Sequence, residues 1–361
     1  MEPPLGRDPE PAADGMTVPA TADRTTPDAP ARGHAGRDWA AGHDAGRQPT
    51  GQPPSGQHPF EQRPSEQRPP GQADAAERAY QEHRPMLYGL AYRMLGSVHD
   101  ADDVLQEAYL RWTGADRSAV AEPRRYLTRV VARLAVDALR ARQARREEYI
   151  GTWLPEPVST EPSPFGAVDT SDLSMAVLHL MERLTPPQRA VYVLHTAFGL
   201  PYTEIAGILE RSAEDCRQLH HRAEAALAGR ARFSTDPAEL NRLIDGFVAA
   251  ARLGDVARLE RLLHDDVVVW SDGGGRARAA RNPIAGRAKA VRFFTAVLAR
   301  PFSAVPARLN GGPALLIDGE RVRYALTVAV SGGRIAGVYM VANPDKLGGV
   351  GAPQGVPLRR P

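Results

Sequence analysis

The chain has 361 residues, 42% of them hydrophobic and 24% charged, which is room for two or three globular domains of ordinary composition. A net charge of +2 makes any nucleic-acid-binding face a local feature, and the single cysteine, Cys216, excludes an internal disulfide and a cysteine metal cluster. No apolar run approaches the roughly 20 residues a bilayer-spanning helix needs, and the N-terminus lacks the apolar core of a signal peptide, so a cytoplasmic protein without a membrane partner is expected.

Residues 1–73 hold 14 of the 32 prolines, with Gly, Gln, Asp and Arg between them. Large apolar residues are too few to offset the entropy of ordering, and a disordered extension is expected. From residue 74 the pattern turns helical. Tyr80, Leu87, Leu90, Ala91, Met94 and Leu95 recur at three- and four-residue spacing, and Gly96-Ser97 breaks the run. A second helix is predicted over Asp100–Trp112. Its carboxylates Asp100, Asp102, Asp103 and Glu107 suit the positive end of a helix dipole. They also suit docking on a basic protein, and would be repelled by DNA.

Pro123 stands at the start of a third helix running to about Arg146, with Leu127, Val130, Val131, Leu134, Ala135 and Leu139 facing inward. Eight arginines lie between Glu122 and Tyr149 against four acidic residues, a local net charge of 8 − 4 = +4. Such a patch attracts nucleic acid through counterion release, and Tyr126 within it can stack on an unpaired base. A merely solvated charged face explains the same arginines equally well.

Residues 151–171 contain Pro155, Pro157, Pro162 and Pro164 and read as a linker. Helices resume over Asp172–Leu184 and again after Thr185, a plausible N-cap followed by Pro186. The segment Pro201–Leu227 has helix-turn-helix spacing, with Glu210-Arg211-Ser212 as the connection and Ser212 capping the second helix. Cys216, Leu219 and Ala223 face inward, which leaves Glu214, Arg217, Gln218, His221 and Arg222 outward to read base edges, with Arg211 and Arg222 on phosphates. His220 and His221 are read as solvent- or phosphate-side. The bland alternative is an ordinary helical hairpin.

Beyond Pro237 come two helices, Leu240–Arg252 and Val256–Leu263. Strand-like runs follow at Val267–Trp270, Ala314–Ile317, Val322–Val330 and Ile335–Val341. Gly311-Gly312, Asp318-Gly319 and Gly332-Gly333 supply the hairpin turns.

These residues resemble a family. Leu90–Ser97 followed by Asp102-Asp103-Val104-Leu105-Gln106-Glu107-Ala108 resembles sigma-70 region 2, Tyr126–Arg146 the part of it that melts and reads the −10 element, and Leu184–Leu227 region 4. Only these two regions are present, as in extracytoplasmic-function sigma factors. Residues 237–346 resemble the SnoaL-like branch of the nuclear-transport-factor-2-like superfamily. One sigma group fuses this domain to region 4 and carries three short motifs. Here they are Trp153-Leu154-Pro155-Glu156-Pro157, Asp272-Gly273-Gly274-Gly275 and Asn343-Pro344-Asp345-Lys346-Leu347, with Arg276 where the glycine motif usually ends in Lys.

The resemblance implies a multidomain chain. A region 2 helical bundle (74–150), the linker, a region 4 helix-turn-helix (172–232), an α+β cone (237–347) and a flexible tail (348–361) would follow the N-terminal extension. It implies that Asp100, Asp102, Asp103, Gln106, Glu107, Leu110 and Trp112 dock on the β′ clamp helices of RNA polymerase core. Arg124, Arg125, Tyr126, Arg129, Arg133 and Arg140 would take the −10 element of promoter DNA. Arg211, Ser212, Glu214, Arg217, Gln218, His221 and Arg222 would take the −35 element, with region 4 touching the β flap. The three motifs would make the fused domain a built-in regulator, with Asp272 and the glycines in an exposed turn and Trp153 as an apolar anchor.

A small-molecule ligand in the cone is open; a cofactor, a metal and catalysis are not expected. The rival is a helix-turn-helix regulator with a cyclase-like domain, in which Trp270, Asp272, Arg278, Arg281 and Asp318 would surround a pocket. That rival lacks a His–Asp pair, since His264 is the domain's one histidine.

Overall fold

The computed structural model describes residues 70–350 apart from 117–119, 146–148, 162, 166–172, 229–232, 234–235, 298–300 and 320–321. The extension 1–69, residues 351–361 of the tail, Arg146, and the part of the linker at 166–171 therefore lie outside the described residues.

Helix α1 (Pro70–Leu95) ends at Gly96, whose φ of +64° leaves the helical region and whose missing Cβ makes room for the Trp153 ring 3.2 Å away. Ser97 then caps α2 (Val98–Gly114), accepting from the Asp100 N–H at 3.2 Å. After α3 (Pro123–Arg145), Ser174 caps α4 (Met175–Met181), which is shorter than the run expected over 172–184. Helix α5 (Pro186–Tyr192) begins with the Thr185–Gln188 capping box and widens into a π turn over Val193–Ala197. Helices α6 (Tyr202–Leu209) and α7 (Ala213–Ala228) form the helix-turn-helix. Glu210 closes α6 in the left-handed conformation at φ 56°, and Ser212 caps α7 through the Asp215 N–H. Helices α1–α3 and α5–α7 bury one continuous apolar cluster that includes Leu90, Leu105, Leu127, Val131, Ala190 and Ile205.

The C-terminal part begins with α8 (Pro237–Leu253) and α9 (Val256–Leu262), followed by β1 (Leu263–Asp272), β2 (Ile284–Ala285) and α10 (Arg287–Val297). Strands β3 (Phe302–Leu309), β4 (Gly312–Gly319), β5 (Arg323–Ser331) and β6 (Arg334–Val341) complete it. The six strands lie in the order β2-β1-β6-β5-β4-β3, with only β1–β6 parallel. Helices packed on one mixed sheet make this an α+β domain.

Because strand residues alternate, each face of the sheet carries its own apolar set. Val267, Val269, Ile317, Leu326, Val338 and Met340 face α8 and α10. Ala314, Leu316, Ala325, Tyr339 and Val341 face the other way. They are covered by Leu154 of the linker and by Met175 and Ala176 of α4. The linker and the first helix of region 4 are thus the outer layer of the C-terminal sheet.

Candidate nucleic-acid interface and interdomain clamp

On α2, Asp102, Asp103, Gln106 and Leu110 are exposed, Asp100 and Glu107 half-buried, and Leu110, at 57% exposure, is an apolar residue among carboxylates. Trp112 corrects the expectation. It is 2% exposed and its Nε1 donates to the Ala76 carbonyl at 2.9 Å, so it belongs to the core of the bundle and is taken out of the docking surface.

On α3, Arg124, Arg125, Arg129, Arg133 and Arg140 are exposed, and Tyr126 is half-buried, tilted against Trp112. Arg140 pairs with Asp137 of its own helix at 3.1 Å, and two of these arginines are engaged by region 4. Arg125 Nε meets Glu204 Oε1 at 2.6 Å, and Arg133 donates to the Ile208 and Gly207 carbonyls at 3.0 and 2.9 Å and pairs with Glu210 at 3.4 Å. The C-terminal end of α6 presents orphan carbonyls, which a guanidinium fork satisfies.

Glu214, Arg217, Gln218, His221 and Arg222 line one shallow groove along α7, at the i, i+3, i+4, i+7, i+8 spacing of one helix face. Arg211 and Ser212 are exposed at the turn that precedes it. His220 corrects the sequence reading. It is buried between Thr196 Oγ1 and Tyr202 Oη, both at 3.1 Å, and burial holds its imidazole pKa below the usual value. Cys216 is a buried core residue whose thiol pKa is pushed up by burial.

The three motifs converge on Asp272, a third correction: Asp272 is fully buried, not in an exposed turn. Its side-chain carboxylate accepts from Tyr149 Oη at 2.6 Å, the Leu154 N–H at 2.9 Å, Lys346 Nζ at 2.7 Å and the Gly274 N–H at 3.1 Å. Lys346 Nζ also donates to the Leu154 carbonyl at 2.6 Å and lies 4.1 Å from the Trp153 ring centre and 5.1 Å from that of Tyr149. Burial lowers the Lys346 pKa to about 8 against the pull of Asp272, and the same burial, with the Asp272 bond, raises that of the Tyr149 hydroxyl.

Asn343 donates to Tyr149 Oη at 3.2 Å and accepts from the Asp345 N–H at 3.1 Å. Pro344 is exposed, Leu347 buried, and Asp345 pairs on the surface with Arg276 at 3.1 Å. Gly274 has φ +55°, and a Cβ there would run into the Asn343 side chain; a Cβ on Gly273 would strike the Ala277 carbonyl. Gly275, with φ +73°, sits under Ile150.

Leu154 to Pro157 are all buried. Glu156 ties the linker to α2, its carboxylate accepting from the Val98 N–H at 2.8 Å and its own N–H donating to the Gly96 carbonyl at 2.8 Å; burial raises its pKa. A second tie is one that motif reading misses. Asn310 Nδ2 donates to Tyr92 Oη at 2.6 Å, Tyr92 Oη donates to the Glu156 carbonyl at 2.5 Å, and Asn310 Oδ1 accepts from the Val158 N–H at 3.2 Å. Asn310 has a positive φ of 54°, and its place just before Gly311 in the β3–β4 hairpin is the sequence-readable sign of an unusual position there. Also missed were Arg142 over the Trp153 ring at 4.5 Å, and Glu182, which pairs with both Arg142 and the buried Arg189.

The pocket residues of the enzyme alternative are split. Trp270 stacks on Tyr339 on the outer sheet face, Asp272 is in the clamp, and Asp318 pairs with Arg323 at 2.7 Å. Among the described residues no group of three His, Cys, Asp or Glu side chains could hold a metal ion, and no helix is long and apolar enough to cross a membrane.

Comparison with known proteins gives a consistent result. Residues 79–145 match the Sigma-70 region 2 family and residues 174–227 the Sigma-70, region 4 family. The ECF RNA polymerase sigma factor SigJ of Mycobacterium tuberculosis is 36% identical over 292 residues, 75% of this chain and 92% of the relative. The probable ECF RNA polymerase sigma factor SigI of the same species is 30% identical over 291 residues, 76% of this chain and 96% of the relative. The crystal structure of the M. tuberculosis extracytoplasmic function sigma factor SigJ superposes with a TM-score of 0.62 at 33% identity, over 76% of this chain and 98% of that one. With both sigma regions, the three motifs and near-full-length relatives in agreement, the chain belongs to the extracytoplasmic-function family of RNA polymerase sigma factors.

Proposed function

We propose that this sigma factor is held in a closed, promoter-incompetent arrangement by its own C-terminal domain, and that initiation in the cytoplasm follows release of the Asp272 clamp. The carrying observation is that two of the −10 arginines, Arg125 and Arg133, are occupied by region 4 while region 4's first helix is held on the C-terminal sheet. Elements named −10 and −35 lie about 25 base pairs apart, about 85 Å of B-DNA at ~3.4 Å per pair. A chain in which Arg133 touches the carbonyl end of α6 at 2.9 Å cannot span both.

In the open form, Asp100, Asp102, Asp103, Gln106, Glu107 and Leu110 would dock on the β′ clamp helices and region 4 on the β flap. Arg124, Arg125, Tyr126, Arg129, Arg133 and Arg140 would hold the melted −10 strand. The α7 groove, with Arg211 and Ser212, would read the −35 duplex. No covalent step is required of the chain.

Run-off transcription from a promoter library with core polymerase tests this reading. Wild type should give specific transcripts, and Lys346→Met with Asp272→Asn, which loosens the clamp, should change their yield severalfold without loss of core binding. Absence of any holoenzyme would overturn the polymerase role, and unchanged transcription by the clamp variant the regulatory one.

A further inference from the structure

Behind the clamp, inside the cone, lies a cavity of about 510 Å³. Its walls are apolar: Phe293, Val297, Pro301, Phe302, Ile317 and Val322 are among the lining residues. Polar side chains in the lining are Ser271, Arg278 and Tyr324. Ser271 is 2% exposed, and its Oγ has no hydrogen-bond partner. Buried hydroxyls are normally hydrogen-bonded, so this position suits an acceptor from outside the chain. Arg278, exposed at the rim, lines the same cavity.

We propose that this cavity binds a small lipophilic carboxylate, its apolar body against the aromatic and aliphatic walls and its carboxylate accepting from Ser271 Oγ and the Arg278 guanidinium. The chemistry matches the lining: apolar surface, one buried neutral donor and one cation on the same side. Carboxylic-acid turnover is not implied, since no acid–base pair faces the space among the described residues.

The site is built to communicate. Ser271 and Asp272 are consecutive in β1, so their side chains project to opposite faces of the sheet. One meets the cavity; the other holds Tyr149, Leu154 and Lys346. A second cleft of about 250 Å³ shares Ser271, Arg278, Ala279 and Ala280 with the cavity and is closed on its far side by Ile150 and Gly151 of the linker. A ligand that displaces the end of β1 or the 278–280 wall therefore acts on the linker directly. This coupling rests on the clamp reading above; the binding site does not.

The test uses the full chain without polymerase, so it is separable from the transcription result. Titration with 2-naphthoate and with decanoate by calorimetry should give saturable 1:1 binding to at least one. The neutral counterpart, 2-naphthamide or decanamide, should bind about tenfold more weakly. Ser271→Ala should weaken carboxylate binding about tenfold, and Arg278→Gln should abolish the preference for carboxylate over amide. Val322→Trp, which fills the mouth, should remove binding while leaving the unfolding temperature near wild type.

Hydrogen exchange at the Leu154 amide should accelerate at least tenfold at saturation. No saturable binding of either carboxylate, or binding indifferent to both Ser271→Ala and Arg278→Gln, overturns the site. Binding with unchanged Leu154 exchange overturns the coupling.

Discussion

Two sets of polar contacts join the modules, and they are built from different physics. Between α3 and α6, above the apolar cluster these helices share, the polar contacts are surface ion pairs and guanidinium–carbonyl bonds. The side chains of Arg125 and Arg133 remain 55% and 43% exposed. Between the linker and the C-terminal domain the polar groups are buried, and Asp272 has no exposure at all. Exposed pairs are worth roughly 0–1 kcal/mol each and are screened by salt. A buried ion is costly to strand, because removing its partner leaves a desolvated charge. The exposed polar contacts between α3 and α6 are therefore a latch that, on the proposed function, nucleic acid phosphate would compete for. The buried set is a clamp that needs a specific event to open.

The sharpest test of that contrast is Asp272→Ala. It strands the Lys346 ammonium and unpairs Tyr149 and the Leu154 N–H, and a loss of about 3–5 kcal/mol is expected in urea unfolding. A loss under about 1 kcal/mol would mean the clamp is no stronger than the latch. Next comes Asn310→Ala, which leaves Tyr92 Oη without its donor and the Val158 N–H unsatisfied. About 1–3 kcal/mol is expected by the same measurement, scaling with buried unsatisfied groups.

The clamp's components were legible in sequence, but their assembly was not. Asp272 and Lys346 are 74 residues apart, and Asn310 and Tyr92 are 218 apart. No local periodicity carries such pairings. What marks them in sequence is glycine where a Cβ cannot fit, as at Gly274, and Lys346 as one of only two lysines in an arginine-rich chain.

Helices such as α2, α7 and α8 were readable because each has a side-chain cap and an apolar stripe. Trp112 was misplaced although it lies four residues after Ala108, in register with Ala101, Val104 and Leu105, which is a core position by spacing alone. Strand β3 escaped notice because Pro306 sits within it. Proline is tolerated there because β3 is the edge of the sheet. Helix α10 and the short β2 were missed with it, lying in a stretch without turn signals as strong as those of the later hairpins.

The latch side of the comparison predicts small numbers. A double-mutant cycle on Arg125→Ala and Glu204→Ala should give a coupling below about 1 kcal/mol that fades with added salt. Arg133→Ala should leave stability near wild type yet weaken the open promoter complex severalfold. A coupling of several kcal/mol, insensitive to salt, would make the latch a second clamp.

The clamp also carries a pH dependence that the latch lacks. Lys346 titrates at about 8 when folded and near its ordinary 10.5 when unfolded. Below pH 8 both states carry the proton, and the cost of burying the ammonium is felt in full. Between about pH 8 and 10.5 the unfolded chain holds a proton that the folded chain has shed, so this residue's contribution to stability rises with pH, by at most about 1.4 kcal/mol per unit. Arg189, lowered by burial to about 9, acts in the same direction, whereas the raised hydroxyls of Tyr92 and Tyr149 act oppositely once free tyrosine begins to ionise. Subtracting the profile of Lys346→Met isolates the lysine. The difference curve should be flat from pH 6.5 to 7.5 and climb from pH 8 to 9.5. Parallel profiles throughout would mean the ammonium is solvated in solution and the clamp open for much of the time.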